Sequence, residues 1–235
     1  MNFRKMILAS VTAVFLIIPV QASAYFDTFF GEDLYPDGSV TGATESWAAS
    51  QSFRSDLTNV GVLDFESHKP GTSDSLSFDL GAVGSGTMTG SMAVNNVADD
   101  GRFAISGTNY LEVKSGEDLV INLSGNVNAF GFWGTDISEF FSQITVTLSN
   151  GEEYSVPHSL LGGSGSAMFW GIIDTENLIE SITISSWGLG WQTHGLDDFY
   201  FGNMDPVVAT PEPSTFALLG LSLLGLAVFR KKIRK

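Results

Sequence analysis

Cysteine is missing from all 235 residues. That excludes a disulfide framework, thiolate metal ligands and a thiol nucleophile. Any fold the chain adopts must rest on its core. Basic residues are the second scarcity. The chain has 26 acids and 11 Lys+Arg. Residues 1–24 hold two bases and no acid, and residues 212–235 hold five bases and one acid. The stretch between keeps 25 acids and only four bases, Arg54, Lys69, Arg102 and Lys114, a net charge of −21. Such a surface repels nucleic acid and anionic membranes. It suits solubility first and divalent cations second. Catalytic signatures are absent too. No G-x-S-x-G elbow, H-E-x-x-H helix, phosphate loop or dinucleotide fingerprint occurs. The three histidines, His68, His158 and His194, fall in predicted loops. No internal repeat appears, so "ITVT" and "ITIS" are isolated rather than members of a regular Thr array.

Both ends carry addresses. Arg4 and Lys5 precede an apolar stretch, "MILASVTAVFLII", and "VQASA" puts Ala22 and Ala24 in an A-x-A cleavage pattern. This reads as a signal peptide over 1–24, used by a secretion translocon, with a mature start at Tyr25. At the other end, residues 214–229 are apolar apart from Ser214, Thr215 and Ser222, and five of the last six residues are basic. As a helix the run spans about 24 Å, short of a hydrocarbon core of about 30 Å. Flanking Lys and Arg can snorkel and should stay cytoplasmic. The expectation is a membrane-spanning helix over 214–229 and a basic cytoplasmic tail over 230–235. An exported domain then lies outside.

Between the ends, residues 25–59 read as an irregular segment with turn signals at "YPDGS", followed by a helix over 44–57. Thr44 is its expected N-cap, and Trp47, Phe53 and Leu57 share its apolar face. From 60 to 202 short strands dominate. They are expected near 60–66, 76–80, 86–94, 102–106, 109–114, 118–124, 127–133, 143–149, 152–156, 167–173, 180–185 and 197–201. This spacing predicts an all-β fold, a jelly roll or β-sandwich. One hairpin can be registered. Ile144, Val146 and Leu148 share a face, and only a three-residue loop, Ser149-Asn150-Gly151, returns Tyr154 and Val156 to that face. Gly151 should then have positive φ. Residues 203–213 form a Pro-containing linker.

Three site expectations follow. Asp64 and Glu66 lie on one face of the first strand, and Asp197 and Asp198 open the last. If those strands are neighbours, two or three of these carboxylates with backbone carbonyls suit Ca²⁺. The plain alternative is surface charge or loop capping. Trp187 and Trp191, in the Gly-rich "SSWGLGWQTHG", offer flat faces for sugar rings, with Gln192, His194 or Asn203 supplying hydrogen bonds. The alternative is that they cover one end of the sandwich. Trp133 and Trp170 sit in strands and belong to the core. A carboxylate pair working as a glycosidase is a third possibility, one that 25 acids make easy to nominate by chance.

Pro211-Glu212-Pro213, then Ser214, a Leu/Gly/Ala-rich helix and a terminal Arg-Lys cluster resemble the PEP-CTERM sorting signal of Gram-negative bacteria. The resemblance covers about 26 of 235 residues. It implies an exosortase partner that cleaves near Pro-Glu-Pro, and a host that makes extracellular polysaccharide. Prolines keep such a site extended and stop the helix from running upstream. The strand series from "VLDFE" to "GLDDFYFG" resembles the β-sandwich ectodomains often found ahead of this signal, which look like carbohydrate-binding or concanavalin-like jelly rolls. Together these imply a non-catalytic envelope or matrix protein associating with exopolysaccharide. The alternatives are a purely structural matrix component and a glycan-active enzyme.

Overall fold

The computed structural model describes residues 22–23, 25–35, 39–137, 143–160, 164–187, 192–205 and 207–208. The chain divides into a unit spanning Ala24–Asp205 and a second built from Met1–Ser23 and Pro206–Lys235. In the second, β1 (Ala22–Ser23) pairs antiparallel with β14 (Val207–Val208). The first carries β2 (Phe26–Asp33), α1 (Thr44–Ser55), β3 (Asn59–Leu63), β4 (Gly71–Asp79), β5 (Ser85–Asn95), β6 (Tyr110–Lys114), β7 (Asp118–Ser124), β8 (Ala129–Thr135), β9 (Gln143–Leu148), β10 (Glu153–Ser155), β11 (Ala167–Asp174), β12 (Ser181–Trp187) and β13 (Thr193–Asn203).

All twelve strands of this unit belong to one antiparallel sheet that curls back on itself. The order is β10-β9-β12-β7-β5-β6-β13-β8-β11-β2, with β3 also on β13 and β4 also on β5. The curl happens in β5. Its first half pairs with β7 (Ser85↔Ser124 to Thr89↔Val120), and its second half with β6 (Met92↔Val113 to Asn95↔Tyr110). Gly90 lies between the halves at φ 149°, a conformation that disfavours any side chain. Two layers result. The layer with β10, β9, β12 and β7 turns Ile144, Val146, Ile182, Ile184 and Ile121 inward, and the layer with β13, β8 and β11 answers with Phe130, Phe132, Trp170, Ile172, Phe199 and Phe201. This is the sandwich the strand spacing predicts; Trp170 is buried within it, and Trp133, on the other face of β8, is buried as well.

A second, smaller core lies on the far face of β8, β11 and β13, where α1 covers them. Phe53 of α1 meets Phe169 at 5.5 Å between ring centroids, with Trp133, Ala129, Ile173 and Tyr200 around it. β8 and β11 are buried at every position, because both faces are covered. The helix comes close because the strands beneath it carry glycines. A Cβ on Gly171 would stand 2.9 Å from the Phe53 ring, and one on Gly31 would meet the Glu45 carbonyl.

Four local expectations change. Residues 26–33 are not irregular: β2 pairs along its whole length with β11. Thr44 is not the N-cap but the first helical residue. Ala43 occupies the cap without a side-chain bond. The carboxylate of Asp33 caps from the neighbouring strand instead, accepting the Thr44, Glu45 and Ser46 N–H groups at 3.0, 3.1 and 2.8 Å. Trp47 is exposed, and Phe53 carries the packing. Residues 102–106 form only an isolated bridge, Asp99↔Arg102. The hairpin follows its expected register, with Val146 opposite Tyr154, the Val156 N–H on the Ile144 carbonyl, and Gly151 at φ 84°.

Candidate functional site

Along β12, Ile182, Ile184 and Ser186 point into the sandwich, so Ser181, Thr183, Ser185 and Trp187 point out. Trp187 is 75% exposed, the most exposed of the large apolar side chains described. It stands opposite Gln143 of β9, whose amide donates to the Ile144 and Val156 carbonyls at 2.9 Å each. Trp191, its expected companion, lies in 188–191, outside the described residues. The polar partners expected from sequence do not join Trp187. His194 is 1% exposed. Its Nδ1–H donates to the Asp136 carbonyl at 3.2 Å, and its Nε2 accepts from the Ser115 hydroxyl at 2.8 Å. Burial holds it neutral, with a pKa lowered to about 4. Gln192 is buried, and Asn203 sits at the end of β13 opposite Asn59. His158 is buried as well. Its Nε2 accepts the Ile144 N–H at 3.1 Å, and burial lowers its pKa. His68 is half-buried beside the Ser77 carbonyl.

β3 pairs with β13 (Leu63↔Phe199), but of the four carboxylates nominated for calcium only Asp197 and Asp198 lie on a strand. β3 ends at Leu63, Phe65 takes φ 59°, and Asp64 and Glu66 fall in the turn beyond it rather than on one strand face. The arrangement of the two aspartates follows from a bulge. Asp197 opposes Trp133 and Tyr200 opposes Gly131, so β13 carries one residue more than β8 here, and Asp198 takes φ 42°. Both aspartates face the segment 103–108. Asp197 accepts the Ile105 and Ser106 N–H groups on Oδ2 at 2.7 and 3.2 Å, and the Asp198 N–H on Oδ1 at 2.8 Å. Asp198 accepts the Ser106 hydroxyl at 2.7 Å and the Tyr200 hydroxyl at 3.2 Å. Glu66 accepts the Thr108 N–H at 2.8 Å and the Asn109 N–H beside it, and these bonds lower its pKa. Asp64 caps its own turn through the Glu66 N–H at 3.1 Å.

Residues 103–109 therefore spend backbone donors on side chains of β13 and the β3 end rather than on a strand. Burial, then the Asp198 charge, pushes Asp197 up to about 8. Burial raises Asp198 also, with a smaller push from Asp64 and relief from Arg54. Among the described residues no group of three His, Cys, Asp or Glu side chains is arranged to hold a metal ion. Tightly hydrogen-bonded and covered, Asp197 and Asp198 leave no cleft between them for a glycosidic bond.

One charged cluster was not legible in the sequence. Arg102 is almost buried and pairs with Glu112 at 3.1 Å, Asp99 at 3.4 Å and Asp136 at 3.5 Å. Its three partners are scattered over 38 positions of sequence, so no local pattern announces them.

Pro211, Glu212 and Pro213, with the expected membrane helix 214–229 and all of the expected signal peptide 1–24 except Ala22 and Ser23, lie outside the described residues. Among the described residues no helix is long and apolar enough to cross a membrane. Residues 209–232 match the PEP-CTERM protein-sorting motif. The chain thus carries the mark of an exported protein handled by an exosortase at the membrane. No curated protein matches the chain. Among solved structures, the C-terminal family 22 carbohydrate binding module of Clostridium thermocellum Xyn10B is similar at TM-score 0.37 and 10% identity, over 65% of this chain and 98% of its own. The CBM22-1 xylan-binding domain of Paenibacillus barcinonensis Xyn10C gives 0.36 and 11%, over 64% and 99%. The catalytic domain of a GH87 alpha-1,3-glucanase gives 0.37 and 14%, over 67% of this chain but 30% of its own. Likenesses at this level carry no argument about ligands.

Proposed function

We propose that this is a non-catalytic glycan-associating protein of the cell envelope or extracellular matrix of a Gram-negative bacterium. It crosses by the secretion translocon, is held in the inner membrane by residues 214–229, and is cut by the exosortase near Pro211-Glu212-Pro213. The released β-sandwich then associates with exopolysaccharide. The observation that carries the glycan part is Trp187. Trp187 presents a flat aromatic ring, 75% exposed on a strand, while Trp133 and Trp170 are buried, and among the described residues it has no packing role. Chromatography of the host's extracellular polysaccharide by size tests the reading. The protein is expected to elute with the polysaccharide and to be freed by its enzymatic digestion. Elution at its own size, with polysaccharide intact, would favour a structural matrix component with no defined ligand.

A further inference from the structure

The outer face of the β10-β9-β12-β7-β5-β4 layer carries nothing on it among the described elements, and its composition is unusual. The inward set of each strand is apolar; the outward set is mostly hydroxyl and amide, with Val120, Trp187 and three acids among it. The register lines these side chains up across strands. Thr147 stands beside Thr183, Thr183 beside Val120, and Val120 beside Thr89. The next row is Thr145, Ser185 and Asp118, with the Ser185 hydroxyl on Asp118 at 2.7 Å. Strands lie about 4.8 Å apart, so the side chains of a row follow one another at that spacing, and all but Val120 in these two rows are polar. Trp187 and Gln143 form the row at one end of the same face. At the other end an open depression of about 370 Å³ is lined by Ser77, Ser85, Thr87, Asn122 and Ser124, with Phe78, Gly86 and Leu123 also contributing to the lining. Trp187 and Ser181 bracket seven residues of β12, so the face runs about 20 Å along the strands.

Charge narrows what fits. The outward positions of these strands include Asp79, Asp118 and Glu153 and no lysine or arginine. An anionic polymer would meet acids and no counter-charge. Hydroxyls donate and accept at once, as the hydroxyls of a sugar do. An exposed indole supplies the apolar plane a pyranose ring stacks on.

We infer that this face, from Trp187 to the depression at Asn122, is a binding platform for a neutral, hydroxyl-rich polysaccharide chain and rejects acidic ones. The inference rests on the glycan reading above and adds the location and the chemical class. Binding is carried by stacking and neutral hydrogen bonds, so it does not weaken as salt rises, whereas an acidic polymer would bind only when salt screens the repulsion.

The test is affinity electrophoresis of the full chain in non-ionic detergent. The gels contain the neutral or the acidic fraction of the host's extracellular polysaccharide, separated by ion exchange. The neutral fraction is expected to retard the protein at low and high salt alike, and the acidic fraction not to at low salt. Trp187→Ala, whose side chain is exposed, is expected to weaken retardation about tenfold. Thr145→Lys/Thr183→Lys, which fills the centre of the face, is expected to abolish it, with melting temperatures confirming that both variants fold. Undiminished retardation of both variants would overturn the platform and leave the glycan reading standing. Preference for the acidic fraction would overturn the chemical class. Absence of retardation in every gel would contradict the glycan reading itself. A wild-type dimer that becomes monomeric in Thr145→Lys/Thr183→Lys would assign the face to a second copy of the chain.

Discussion

Single residues show how an acid-rich chain without cysteine holds itself together. Arg102 is the clearest case. It is one of four bases in residues 25–211 and is shared among three carboxylates, one of them, Asp136, 4% exposed. Removing it leaves that carboxylate facing a low-dielectric interior. Arg102→Met is expected to cost about 3–5 kcal/mol, read by denaturant unfolding. Adding Asp136→Asn should recover part of the loss, since Asn tolerates the φ of 59° at that position. Equal stability of Arg102→Met and wild type would show that the cluster does not matter. Asp197 and Asp198 give a pH signature. Their folded pKa values are raised above the unfolded value of about 3.9, so the folded state holds protons the unfolded chain has released. Stability therefore falls as pH rises, until Asp197 is ionised above about 8. His194 and His158 work oppositely: their lowered values add stability as pH rises, but only up to about 6.5. From pH 6.5 to 8.5 only the aspartates remain, and the melting temperature is expected to fall. Asp198→Asn, which removes the neighbouring charge, should flatten that fall. A flat wild-type profile would contradict the assignment. Millimolar calcium is expected to leave the melting temperature unchanged, because Asp64, Glu66 and Asp197 are engaged with backbone N–H groups and Asp198 with the Ser106 and Tyr200 hydroxyls; a clear rise would restore the cation site.

Elements were legible wherever period-two alternation met a diagnostic turn. The β9-β10 hairpin follows from Ile144, Val146, Tyr154 and Val156 having to share a face, with Gly151 supplying the turn. β2 escaped because its two faces meet different cores, Phe30 the larger and Phe29 the smaller. Phe29 and Phe30 are adjacent and apolar, which breaks the alternation that marks a strand with one wet face. Residues 102–106 misled in the opposite sense. "RFAIS" alternates, but its donors are taken by Asp197, a long-range partner that no local pattern shows. The helix could be read and its cap could not, because Asp33 reaches it from another strand. The seat of α1 makes a prediction of its own. A methyl group on Gly31 would strike the backbone of Glu45, which cannot swing aside as a side chain can. Gly31→Ala is expected to destabilise by about 2 kcal/mol or more, seen as a lowered melting temperature. Gly151→Ala, with open space around it, should cost less and only through its positive φ.

The whole molecule divides what sequence can say from what only folding can. Addresses are local strings, so the tail was readable residue by residue, and the sorting motif at 209–232 bears that reading out. A sheet face is not a string. Thr147, Thr183 and Thr89 become neighbours only through register, and Ser and Thr between strands read simply as solvent-facing. Trp187 could be nominated from its glycine-rich surroundings, but its position at the end of a hydroxyl face could not. The proposed function needs both: an address that would carry the domain out and release it, and a surface suited to what lies outside. Release is the step on which the rest depends. Intact-mass measurement of the protein recovered from the host's extracellular matrix tests it most directly. A mass beginning at Tyr25 and ending near Glu212 is the predicted result. A mass running to Lys235, found only in the membrane fraction, would contradict it.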